Sequence, residues 1–181
     1  MPASAPIRRA VVALVLACAL LVGATGCGDD SGGDPASTAS PTASTEAQKF
    51  AKTRFVANAS LAAGATYQWI VKPYRDGKFA KGAEGRTFAL VKAGLAGAFA
   101  YNRLKAAVAN AQGDELLSKA VAPLVVGIES LKNFGAKLRD GEVSAADVGS
   151  FESVIKDVKE AGQSAGAEVT DKVPPLSQLT Q

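Results

Sequence analysis

Histidine is absent from the 181-residue chain, which removes the commonest metal-binding side chain and the commonest general base. With it go zinc motifs, histidine-ligated haem, and the Ser/His and Cys/His catalytic pairs. The Glu-x-x-His motifs of four-helix carboxylate di-iron proteins are excluded for the same reason. Only two cysteines occur, Cys18 and Cys27. No segment alternates apolar and polar residues in the manner of a half-buried strand, so helix is the only regular structure the pattern supports. A net charge of +3 gives no strong overall field, and its arrangement carries more information than its size.

At the N-terminus, Arg8 and Arg9 precede an uncharged run from Ala10 to Gly26. A short charged segment followed by an apolar one is the layout of an export signal. The run sits at the short limit of the roughly 17 to 25 residues that span a bilayer, so an uncleaved anchor is the weaker reading. Small residues then lead to a cysteine: Ala24, Thr25, Gly26 and Cys27 resemble the lipobox of bacterial lipoproteins. The resemblance covers residues 1–27. It implies a signal peptide over residues 1–26, cleavage before Cys27, and diacylation of that cysteine. It also implies a lipid anchor in the cell membrane, with the mature chain on its extracytoplasmic face. Cys18 would leave with the signal and Cys27 would carry lipid, so no thiol would remain for a disulfide, a cluster or catalysis.

Residues 27–45 follow as a tether. From Gly28 they are Ser, Thr, Gly, Pro, Ala and Asp, with no large apolar side chain to offset the entropy of ordering them. The remainder is long enough for one domain with its own core, and its apolar spacing predicts an all-α fold over residues 46–173. Thr45 and Gln48 form a capping-box pair, and Ala51, Phe55, Ala59, Ala62, Thr66 and Trp69 define one face of a first helix over about 46–71. Pro73 is expected to end it, with a loop and an Asp76-Gly77 turn beyond. A second helix over about 84–112 carries a seam of Leu90, Gly94, Gly97, Tyr101, Leu104 and Val108, widened by Phe88, Val91, Leu95 and Phe99. Gly94 and Gly97 are small enough to admit a neighbouring backbone. The third helix, about 115–139, has the sharpest pattern: Leu117, Val121, Leu124, Ile128, Leu131, Gly135 and Leu138, interrupted by a kink at Pro123. Ser144 and Asp147 open a fourth over about 145–165, with a seam of Val148, Phe151, Ile155, Val158, Gly162 and Ala165. Short connections imply an up-down-up-down antiparallel bundle, and residues 174–181 are expected to fray.

Residues 49–105 hold eleven Lys or Arg against Asp76 and Glu84, whereas residues from 106 onward hold seven against eleven acidic ones. Early and late helices that complement one another account for this, and so does a basic binding surface. The densest cluster is the loop after the first helix, where Lys72, Tyr74, Arg75, Lys78, Phe79, Lys81 and Arg86 combine cations with two aromatics. Such a patch suits an anionic envelope polymer, a lipid headgroup or an acidic protein surface. Alternatively, Tyr74 and Phe79 cover the open end of the core. Nucleic acid is not expected as a partner outside the cell. Tyr67, Trp69 and Tyr101 offer a second possibility, a pocket for a small apolar ligand opened by the Pro123 kink, against simple core filling. Ser153 and Lys156 spell S-x-x-K without the accompanying S-D-N and K-T-G motifs, so it reads as chance. Asn58-Ala-Ser60 is a glycosylation sequon by coincidence. No catalytic residue, metal ligand or cofactor site is expected. The chain reads as a non-enzymatic binding or structural module of the envelope.

Overall fold

The computed structural model describes residues 41–180. The expected signal peptide, Cys27 and the tether as far as residue 40 lie outside the described residues. Within them the chain is helical, with four helices and no strand.

The first helix, α1, starts as Pro41–Thr66, widens into a π-helical turn at Tyr67–Val71, and finishes as Lys72–Arg75. Two expectations are corrected here. The helix already includes Pro41, the first described residue, so Thr45 lies inside it rather than at its cap. Nor does Pro73 end the helix. A proline in a regular helix clashes with the carbonyl four residues back and leaves it without a donor. In the π turn the Lys72 N–H bonds the Tyr67 carbonyl, five residues back, and the wider loop accommodates the ring. The stop signal is Gly77, in the left-handed region at φ 69°. Its N–H bonds the Tyr74 carbonyl, and the next N–H, from Lys78, bonds that of Pro73. This double closure is the Schellman motif. Gly141 and Gly166 close later helices by the same pattern, through Glu142 N–H to Lys137 O and Ala167 N–H to Gly162 O.

Helix α2, Arg86–Ala111, packs most extensively against α1. Alanine dominates both faces: Ala59, Ala62, Ala63, Ala93, Ala96 and Ala100 are all buried, so the two backbones lie close. Phe88 and Val91, expected to widen the seam, are instead 62% and 43% exposed. The seam is narrower than the apolar pattern because alanines and glycines fill it. Gly94 and Gly97 meet Gly135 of the third helix, where an added Cβ at Gly94 would stand 2.9 Å from the Gly135 carbonyl oxygen.

The third helix, α3, is not continuous. It runs as Glu115–Val121, Val125–Ser130 and Phe134–Asp140, joined by 3₁₀ turns at Ala122–Leu124 and Leu131–Asn133. Proline at 123 tightens the first turn rather than making a simple kink. The Leu117, Val121, Ile128, Leu131, Gly135 and Leu138 seam is buried throughout. Asp114 caps α3 by accepting the Leu117 N–H at 2.8 Å. Helix α4, Ala145–Ser164, starts in the capping box expected of Ser144 and Asp147. Its Phe151 stacks at a tilt on Phe134, ring centroids 4.8 Å apart.

The C-terminal segment, described as far as Thr180, packs against the helices. It runs extended along α1, with Thr170 N–H bonding Ser60 Oγ at 3.1 Å and Lys172 N–H bonding the Ser60 carbonyl at 3.0 Å. Pro174 and Leu179 are buried, and the final 3₁₀ turn, Leu176–Thr180, packs on α2. Ser60 is thereby used as a tether for this strap, and Asn58 accepts a bond from Arg103 at 3.3 Å, so the sequon serves the fold.

Candidate binding surface

The hairpin between α1 and α2 is a string of tight turns. Ala80, Ala83 and Arg86 each donate a backbone bond three residues back, and Gly82 and Gly85 take left-handed conformations that spare the chain a Cβ penalty. Two of the seven residues expected to form a binding patch instead hold this hairpin to the bundle. Phe79 is buried in the core with its ring 6.1 Å from that of half-buried Tyr74. Arg86 donates from Nε to the Phe79 carbonyl at 2.9 Å and from Nη2 to the Gly141 carbonyl at 3.4 Å. The turn at Gly141 therefore sits beside the hairpin. Arg75 is exposed and paired with Glu152 of α4. It lines a shallow groove with Tyr74, Phe79 and Val143.

Lys72 and Lys78 face a different space. They line a cleft of about 360 Å³ between the end of α1 and the start of α2, together with Trp69, Phe88 and Lys92. The Lys92 ammonium lies 4.2 Å from the Phe88 ring centre and 5.4 Å from that of Trp69, within the range where a cation is attracted to an aromatic face. Asp76 and Glu84 also border the cleft, so three ammonium groups oppose two carboxylates. The Trp69 Nε1–H is buried with no hydrogen-bond partner, a donor whose desolvation is uncompensated. Lys81 lies on the exposed tip and lines neither space.

Sequence reasoning missed Phe88 and Lys92, having placed Phe88 on the packing face. An aromatic and a cation one helical turn apart, directly after a basic hairpin, was the available signal. The trio of Tyr67, Trp69 and Tyr101 is not brought together. Trp69 belongs to the cleft, Tyr67 to a separate pocket against α4, and Tyr101 to the α2–α3 surface. There its hydroxyl donates to Glu129 at 2.8 Å, and Lys105 pairs with the same carboxylate at 3.2 Å. The bond to Glu129 raises the Tyr101 pKa, and the bonds from Tyr101 and then Lys105 lower that of Glu129. Asp147 is also shifted, held down at about 2 by the Ser144 hydroxyl and backbone N–H and then by Lys137.

Ser153 and Lys156 both lie exposed on α4, with Lys156 paired to Glu160. Among the described residues no group of acidic side chains gathers to hold a metal ion, and no helix is long and apolar enough to cross a membrane. Comparison with protein-family models, with curated proteins and with solved structures yields no match for this chain.

Proposed function

We propose that the chain is a lipid-anchored module of the bacterial envelope that binds an anionic polymer through the Trp69, Phe88 and Lys92 cleft. Cys27 carries the anchor, the tether follows it, and the four helices form an up-down-up-down bundle on the extracytoplasmic side. Contacts at both ends support that topology. Near one end Lys52 pairs with Asp114 at 3.6 Å and donates to the Ala165 carbonyl at 2.7 Å. Near the other, Arg75 meets Glu152 and Arg86 meets Gly141. The cleft lies at this second end, away from where α1 leaves the tether.

The observation that carries the reading is a single cleft lined by Lys72, Lys78 and Lys92 and by two aromatic side chains, with the Lys92 ammonium against both rings. An ammonium group over an aromatic face offers charge to an anion and flat apolar surface to the rest of a repeating unit. The test is retention of the protein on purified anionic wall polymer at low and high salt. Parent protein is expected to bind and to be released as salt screens the lysines. Replacing Lys72, Lys78 and Lys92 with Ser should weaken binding by up to about fivefold per lysine, with the unfolding temperature unchanged. Equal retention of the variant refutes the cleft. Intact mass of membrane-extracted protein checks the anchor, which requires an acylated chain beginning at Cys27.

A further inference from the structure

A second space, of about 230 Å³, lies between the π turn of α1 and the face of α4, separate from the basic cleft. Ala63, Val71 and Ile155 give it apolar walls, and each of them is buried. The charged groups at its rim are already matched: Lys159 pairs with Asp171 of the C-terminal strap at 2.7 Å, Glu152 with Arg75, and Lys156 with Glu160 at 3.6 Å. An ionic ligand would have to break one of these pairs.

Thr66 also lines this pocket. It is 2% exposed, and its hydroxyl has no hydrogen-bond partner. A helical threonine ordinarily returns its hydroxyl to a carbonyl of the preceding turn. Here that bond is missing in the residue that leads directly into the π turn. Threonine has a second χ1 rotamer that occurs in helices, and a guest that draws the Thr66 hydroxyl into it can supply the missing bond. π turns recur at functional sites because the widened turn reshapes the adjacent surface. The one here results from accommodating Pro73.

We infer that this pocket binds a small, uncharged amphiphile, a single ring or short chain bearing one hydroxyl or amide that pairs with Thr66. The volume is below the ~300–1,000 Å³ of sites for drug-sized ligands, which limits the guest to that size. The inference goes beyond the polymer-binding reading and uses none of the cleft lysines.

The experiment titrates the full chain, held in lipid nanodiscs with labelled Ile and Thr methyl groups, and follows the Ile155 and Thr66 signals by NMR. Phenol and cyclohexanol are the neutral probes, with toluene as the apolar comparison and benzoate as the charged one. Phenol is expected to shift both methyl signals saturably and to bind more tightly than benzoate. Thr66→Val keeps the shape and should weaken phenol about fivefold while leaving toluene unchanged. Thr66→Ser retains the hydroxyl and should restore phenol binding, which separates a lost bond from a disturbed fold. The inference is overturned by the absence of any saturable shift with phenol and cyclohexanol, or by a bound water alone at Thr66. Equal phenol affinity in the Val variant, or tighter binding of benzoate, overturns it as well.

Discussion

Replacing Gly64 with alanine sets two opposed effects against each other at one position. Glycine in a helix interior costs about 1 kcal/mol relative to alanine, so an unhindered Gly→Ala change on a helix stabilises. At Gly64 the new Cβ would stand 2.2 Å from the Lys172 carbonyl carbon and 2.6 Å from the Val173 nitrogen. Those are backbone atoms, so no rotamer change relieves the overlap, and the strap must move outward by about 1 Å to reach ordinary contact. The two bonds to Ser60, at 3.0 and 3.1 Å, cannot survive that shift. Losing them costs about 2 kcal/mol, and partial release of buried Leu179 adds about 1–2 kcal/mol. The net expectation is destabilisation by about 2–3 kcal/mol once the helix gain is subtracted. Gly149 of α4 supplies the control, since a Cβ there meets nothing within 4 Å. Urea unfolding of both variants, with hydrogen exchange at the Lys172 amide, reads the difference. Gly149→Ala should raise the midpoint, whereas Gly64→Ala should lower it and expose that amide. If Gly64→Ala matched Gly149→Ala and the amide stayed protected, the strap would not be the docked element described.

Two further expectations concern the helix ends around the hairpin. Asp147 has its folded pKa lowered to about 2 from 3.8, so its contribution is complete above about pH 4 and is lost as the pH falls toward 2. Exposure screens much of that effect and leaves about 1 kcal/mol. Asp147→Asn should flatten the acid limb of the stability profile by that amount, and an unchanged limb in urea titrations would remove the capping box as its cause. Arg86→Leu strips two carbonyl bonds from the hairpin and should cost about 1–2 kcal/mol. Amides at Ala80 and Ala83 should then exchange faster, and unaltered exchange would mean that the turns stand without the guanidinium.

The local signals in the chain were sufficient for helices and several of their ends. Four-three spacing of Leu117 through Leu138 and of Val148 through Ala165 marks faces that the structure buries almost entirely. Ser144 caps where its short polar side chain predicts, and Asp114 caps α3 by the same chemistry. What misled was Pro73. The restriction a proline imposes on its neighbour is local, but whether the helix stops or widens depends on what the continued helix packs against. Tyr74 continues α1 by one more turn and rests against the buried ring of Phe79.

The candidate sites were less legible, and for the same reason. A run of cations and aromatics between residues 72 and 86 says that a loop is basic, and says nothing of which side chains are spent inside. Tertiary structure decided that Phe79 and Arg86 hold the hairpin, while Trp69, Phe88 and Lys92, from two helices, complete a cleft with Lys72 and Lys78. It also decided the fate of the last residues. An extended strap has no periodic face to read, and its docking depends on room at Gly64 and on the carbonyl and hydroxyl of Ser60 as acceptors, more than a hundred positions earlier. Sequence by itself determined the helices, because backbone preference and apolar period act within a few residues. Only the packed fold decided which surfaces remain open, because burial is a property of distant segments brought together.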